Sequence, residues 1–229
     1  MEQLANGYTL DIPPGAFPLS TDSMVLSDFV RLPRSARVLD LGSGCGTLGL
    51  LLCASDPQCR VTGIELDPVA HEAALENIRR NDLSARLSSV CADIASIPPS
   101  LAPGSFTTCV SNPPYFTGGP DSRRFAAARK EGCCTVGALF EAAARALCWG
   151  GNFYLVHRPE RLAELTAAAS AVRLEPKRLA LVRHREGGPV SLILLSCRKG
   201  AKPGLRWEEY MLFHADGTPT EDYRRIYRL

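Results

Sequence analysis

Short runs of apolar, largely β-branched residues alternate along the chain with longer stretches whose apolar positions recur every three or four residues. These are the periods of strands and helices. The pattern predicts strands over 36–41, 60–65, 86–91, 106–111, 152–157, 178–185 and 190–198. Between them it predicts helices over 47–55, 68–81, 135–148 and 159–172. Pro68 opens the second in its first turn, Gly150-Gly151 ends the third, and Leu162, Leu165 and Ala169 form one stripe of the fourth. A further helix over 24–32 has Thr21 and Asp22 before it as a cap. Only Glu186-Gly187-Gly188-Pro189 separates the last two strands, too little for a crossover, so they form an antiparallel hairpin.

Alternation of this kind demands parallel neighbours joined by helical crossovers. The expected fold class is therefore α/β and Rossmann-like: a seven-stranded, mostly parallel sheet with one antiparallel strand and helices on both faces. One domain spans 1–229, with 1–35 a leading segment over the ligand end, 36–198 the core sheet and 199–229 a C-terminal extension.

Composition narrows the class. The chain has 229 residues, 45% hydrophobic and 22% charged, which suits one buried core and excludes large multidomain readings. Its net charge of +2 conceals a split: residues 1–115 carry 7 Lys/Arg against 12 Asp/Glu, and residues 116–229 carry 19 against 12. Such a split suits a polyanion that meets mainly one side of the molecule. The nine cysteines are odd in number and form no Cys-x-x-Cys pair, which disfavours a disulfide scaffold and a zinc site. Most of them, including Cys45, Cys53, Cys91, Cys109, Cys148 and Cys197, fall in apolar stretches and read as core residues of a reducing compartment. The start lacks a basic and apolar leader, and no stretch suits a membrane span, so a cytoplasmic location and no membrane partner are expected.

In an open sheet of this kind ligands sit beyond the carboxyl ends of the strands. After the first strand comes Asp40-Leu41-Gly42-Ser43-Gly44-Cys45-Gly46, where Gly42, Gly44 and Gly46 allow a tight turn and close approach of a nucleotide-like ligand. The loop also satisfies a dinucleotide fingerprint, with Glu65 lying 21 residues beyond Gly44, so glycines alone do not choose the ligand. Two acids favour S-adenosylmethionine over NAD. Asp40 attracts a cationic methionine moiety but has the wrong sign for a pyrophosphate. Asp93 follows the third strand, where it can accept from an adenine amino group while Ile94 or Leu66 covers the ring. Glu65 offers two acceptors for ribose hydroxyls. Asp93 also reads as a turn cap, Asp67 as a helix cap and Glu65 as a solvated strand end.

The fourth strand runs into Ser111-Asn112-Pro113-Pro114-Tyr115-Phe116. Two prolines stiffen the turn, so that the Asn112 amide and the Pro113 carbonyl become rigid acceptors. An amino group on an aromatic base or an amide is a poor nucleophile because its lone pair is delocalised. Hydrogen bonds from its two N–H groups to such acceptors favour the localised geometry that attack on a sulfonium methyl requires. Tyr115 supplies a stacking face for a planar target. No metal is needed.

At these residues the chain resembles the class I S-adenosylmethionine-dependent methyltransferases of the Asn-Pro-Pro-Tyr, amino-methylating subclass. Within them it resembles the valine-tRNA adenine-N6 methyltransferase family, which modifies the adenine next to the anticodon. Phe17–Phe29, Leu155–Leu162, Leu174–Leu179 and Gly200–Leu205 carry the likeness beyond the shared motifs. The resemblance implies that Thr21 and Asp22 close over the methionine end of S-adenosylmethionine, that Asp40 and the glycines hold it, and that Asn112 through Tyr115 hold the target amine. It implies S-adenosylhomocysteine as product, tRNA as partner and no obligate protein partner. Some family members carry Gly where this chain has Ser23.

Arg123, Arg124, Arg129 and Lys130 follow the turn beside Gly118-Gly119-Pro120 and read, with Phe116, as a substrate-side lid that contacts phosphates, or as a solvated loop. No motif explains Cys133-Cys134. Tyr223 and Tyr227, four apart, pack a terminal helix onto the sheet. The Asn-Pro-Pro-Tyr chemistry also serves a protein glutamine amide, DNA adenine or ribosomal RNA guanine. The first of these enzymes carries a helical domain ahead of the sheet, and the second a target-recognition region that has no room here. A non-catalytic RNA-binding module is the alternative of another class.

Overall fold

A computed structural model describes residues 2–4, 7–99, 101–114 and 135–228. In chain order the strands and helices are β1 (Glu2–Gln3), β2 (Thr9–Leu10), α1 (Thr21–Phe29), β3 (Arg37–Leu41), α2 (Thr47–Ser55), β4 (Arg60–Glu65), α3 (Pro68–Arg80), β5 (Leu87–Cys91), β6 (Phe106–Ser111), α4 (Val136–Ala146), β7 (Leu147–His157), α5 (Leu162–Ala171), β8 (Leu174–Arg185), β9 (Val190–Lys199), β10 (Arg206–Phe213) and α6 (Glu221–Tyr227). Single 3-10 turns lie at Ile94–Ser96 and Pro159–Arg161. Among the described residues no helix is long and apolar enough to cross a membrane.

The main sheet has the order β10-β8-β9-β7-β6-β3-β4-β5. β9 runs antiparallel to both neighbours, and every other pairing in this sheet is parallel. The single antiparallel strand is as expected, but the sheet has eight strands where the pattern predicts seven. The additional strand is β10, inside the stretch 199–229 read as an extension. Of its residues Tyr210 and Leu212 are buried while Trp207 and Glu209 face solvent, so its apolar signal is half that of an inner strand. Arg178 secures this edge: its guanidinium binds both Glu208 carboxylate oxygens at 2.6 and 2.8 Å and lies over the Phe29 ring, 4.1 Å from its centroid.

Inner strands are buried on both faces, and successive residues serve opposite cores. Val38, Val61, Val110 and Val156 join the core under α1, α2, α3 and α6. Leu39, Ile64, Cys109 and Leu155 join the core under α4 and α5, around an edge-to-face Phe140–Phe153 pair at 5.1 Å. Cys45, Cys53, Cys109 and Cys197 are buried as expected, whereas Cys91 ends an outer strand and is exposed.

Two asparagines, Asn77 within α3 and Asn81 at its C-terminal cap, hold the leading segment. Asn77 accepts from the Asp11 N–H at 2.8 Å and donates to the Asp11 carbonyl at 2.9 Å, while Asn81 does the same with Thr9 at 2.8 and 2.7 Å. Side-chain amides four residues apart, at the end of α3 and its cap, thus imitate a neighbouring strand. The helix expected over 24–32 instead starts at Thr21 and ends at Phe29, with Ser20 at its cap position. Thr21 is therefore the first helical residue and not the cap. β7 begins earlier than expected, at Leu147, because the chain passes through Gly150, at φ 82°, within an irregular stretch of pairing with β6.

Candidate active site

The carboxyl ends of β3, β4, β5, β6 and β7 converge on one edge. Leu41 leads into Gly42, Gly44 and Gly46, whose φ values of 75°, 54° and 86° lie in the left-handed region that favours glycine. The loop is tied to β4: Gly42 and Ser43 donate to the Ile64 carbonyl at 2.9 and 3.0 Å, and Gly44 donates to Glu65 Oε2 at 2.7 Å. The buried Asn77 donates to the Cys45 carbonyl at 3.0 Å, fixing the far side. A Cβ at Gly42 or Gly44 would project into open space, so the loop presents bare backbone to its surroundings. α2 follows with no side chain capping its first turn.

Asp40 lies beneath this loop, 1% exposed, and neither carboxylate oxygen has a hydrogen-bond partner. Burial, followed by the charge of Glu65, pushes its pKa up to about 8. The buried Ser43 hydroxyl is likewise unpartnered. Buried polar groups are normally satisfied, and an acid left in this state suits a cationic ligand group. The residues present therefore fit S-adenosylmethionine: the unpartnered Asp40 carboxyl suits a cationic group, and the glycine loop leaves open space against bare backbone.

The acids at the tips of β4 and β5 are more self-contained than the sequence implies. Glu65 Oε1 accepts from the Asp67 N–H at 2.9 Å, so both oxygens already hold one backbone donor and keep one lone-pair site each. Asp93 Oδ1 caps its 3-10 turn through the Ala95 N–H at 2.8 Å, which leaves Oδ2 for a ligand. Asp67 caps α3 through the Val69 N–H at 3.1 Å. Ile94 is buried, and Leu66 is half exposed beside the strand tips.

β6 supplies the chemical turn. Asp40 pairs with Val110 in register, so Asn112 leaves its strand next to the point where Gly42 leaves its own. Ser111, fully buried, donates to the Leu41 carbonyl at 2.7 Å and locks the two tips together. Asn112 Nδ2 donates to Ser23 Oγ on α1 at 3.0 Å, Pro113 is buried and Pro114 half-buried. Thr21 Oγ1 and Tyr227 Oη lie 3.2 Å apart, so the C-terminal helix holds the first turn of α1, and Asp22 follows in that turn. At the tip of β7, burial first and then Arg161 lower His157 to about 4, leaving a neutral imidazole whose Nδ1 accepts from the Arg158 N–H at 2.8 Å. Tyr115, Phe116, Arg123, Arg124 and Arg129 lie outside the described residues, as do Cys133 and Cys134.

The structure thus joins Thr21, Asp22, Asp40, Gly42, Gly44, Gly46, Glu65, Asp93 and Asn112 along one edge. Sequence reasoning missed Ser111 and Ser23. Ser111 carries a signal, a polar residue at an inward strand position just before a rigid turn. Ser23 carries none, because its partner is 89 residues away.

The family described as "Methyltransferase small domain" matches residues 19–166. A protein of Photobacterium profundum named tRNA1(Val) (adenine(37)-N6)-methyltransferase is 29% identical over 93% of each chain. One of the same name from Tolumonas auensis is 34% identical over 89% of this chain and 85% of its own. Among solved structures, a predicted O-methyltransferase from Agrobacterium tumefaciens superposes with a TM-score of 0.77 at 22% identity, covering 91% of this chain and 96% of its own, a likeness of fold. With the glycine cradle, the paired strand tips and a match running from the leading segment into α5, the chain belongs to the methyltransferase small-domain family.

Proposed function

We propose that the protein transfers a methyl group from S-adenosylmethionine to the N6 amine of an adenine in structured RNA, in the first instance a valine tRNA at the adenine next to the anticodon. The observation that carries this reading is the joining of two unlike tips, an unpartnered buried acid under bare glycines on β3 and a rigid Asn-Pro-Pro turn on β6, by the Ser111–Leu41 hydrogen bond. When bound, S-adenosylmethionine supplies a methyl carbon already activated by a cationic sulfur. Asp40 balances that positive charge, and the loop glycines, Glu65, Leu66, Asp93 and Ile94 hold the nucleoside. Asn112 Oδ1 and the Pro113 carbonyl accept the two N–H bonds of the target amine, which localises its lone pair and orients it for in-line attack. Tyr115 stacks on the base once it is turned out of its helix. The proton leaves to water after transfer.

The partner follows from the relatives' names and from charge. Acids collect at the tips of β3, β4 and β5, whereas Arg158, Arg183 and Arg185 stand at the tips of β7 and β8 on the other side of Asn112. A base held at Asn112 would set its neighbouring phosphates toward these arginines, and Arg123, Arg124 and Arg129 are proposed to add to them. The test is incubation with methyl-labelled S-adenosylmethionine and separate pools of unmodified tRNA, ribosomal RNA, DNA and protein. Label appearing as N6-methyladenosine in tRNA is expected. Label in a protein glutamine, in DNA or in guanine would overturn the substrate, and cofactor binding with no transfer to any pool would overturn the enzyme.

A further inference from the structure

We propose that Ser23 is a positioning residue that tethers the Asn112 side chain in the place from which it acts, an inference that rests on Asn112 being the acceptor for the target amine. A side-chain amide has one donor end and one acceptor end, and rotation by half a turn exchanges them. With its nitrogen toward the amine, Asn112 would oppose the target's N–H bonds instead of accepting one. Ser23 Oγ, 6% exposed and 3.0 Å from Asn112 Nδ2, accepts from the amide nitrogen, so the side chain is tethered to α1 with Oδ1 left out of this contact.

The support reaches back through α1. Ser23 lies on the third residue of the helix, Thr21 at its start meets Tyr227, and Arg225 binds Asp28 at 3.2 Å near its end. Tyr227 in turn stacks on Tyr223 at 4.3 Å, which leans on Phe213 at 4.8 Å. The C-terminal helix therefore clamps α1 at both ends, and the amide that follows β6 is tethered by a helix 89 residues earlier in the chain.

Ser23→Ala keeps helix propensity and removes only the hydroxyl. With tRNA as substrate, kcat should fall about tenfold while the RNA KM and the cofactor Kd stay within about twofold, because the lost contact orients an acceptor used at the reacting amine. In an Asn112→Ala background the same substitution should cost nothing further. An unchanged kcat, an equal loss in both backgrounds, or a matching loss of cofactor affinity overturns the proposal. A substrate-independent readout separates this from the reaction itself. The Asn112 side-chain NH2 resonances, identified by their disappearance in Asn112→Ala, should show slowed proton exchange in the parent protein and rapid exchange in Ser23→Ala. If RNA accepts no methyl but this difference is found, the reaction is wrong and the positioning stands; equal exchange in both proteins overturns the positioning whatever the substrate.

Discussion

Asp40 is the residue whose chemistry departs furthest from its sequence. A free carboxylate titrates near 3.8, and this one is pushed up to about 8 by burial and by Glu65. Between those values the folded, ligand-free protein holds a proton that the unfolded chain releases, so this site's contribution to stability is full below 3.8 and declines as pH rises toward 8. Asp40→Asn should therefore melt higher than the parent at about pH 8, by roughly 2–4 °C for each kcal/mol relieved, and equally at acid pH. The same variant should lose cofactor binding. Thermal melts at both pH values, with and without S-adenosylmethionine, check both halves; a variant that binds normally would remove Asp40 from the site. In the parent protein a cationic ligand must draw the proton off, so affinity should rise with pH up to about 8, with about one proton released per molecule bound near neutral pH. Calorimetry in buffers of different ionisation enthalpy reads that proton directly.

At the scale of elements, legibility followed burial. β4 and β6 match their expected bounds because each buries an apolar residue on both faces and turn residues close them. β10 escaped because it is an edge strand that buries only alternate residues and opens with charge. α1 was misplaced because Thr21 and Asp22 look like a cap, whereas the helix starts on them. The grip of α3 on the leading segment was invisible for another reason. Asn77 and Asn81 read as an ordinary helix residue and an ordinary helix cap until the backbone of residues 9–11 comes beside them. Asn77→Ala removes three hydrogen bonds at a residue 1% exposed, to Asp11 twice and to Cys45 once, and should cost about 2–3 kcal/mol in denaturant unfolding. It should also weaken cofactor binding, since the Cys45 carbonyl anchors the glycine loop. An unchanged unfolding midpoint would mean that the leading segment carries no such load.

Over the whole molecule, charge and topology divide the same edge. The sheet order sets β6, with Asn112, between acid-bearing β3, β4 and β5 on one side and arginine-bearing β7 and β8 on the other. The sequence already held that asymmetry in its two halves, and parallel topology converts it into a spatial one by bringing every forward strand's carboxyl end to one edge. RNA affinity should fall steeply with salt, and Arg158→Ala and Arg185→Ala should each lower the slope of log affinity against log salt by about 1 while leaving cofactor binding alone. Salt titrations with an unchanged slope would move the RNA elsewhere on the surface. The central claim is that neighbouring strand tips do separable work, one holding the donor and the other the amine. Its most direct measurement compares Asn112→Ala with Asp40→Ala on unmodified tRNA, reading cofactor affinity and single-turnover methyl transfer in parallel. The account predicts that Asn112→Ala binds cofactor as the parent does and transfers about 100- to 1,000-fold more slowly, whereas Asp40→Ala fails first at binding. Equal loss of both properties in both variants would contradict it.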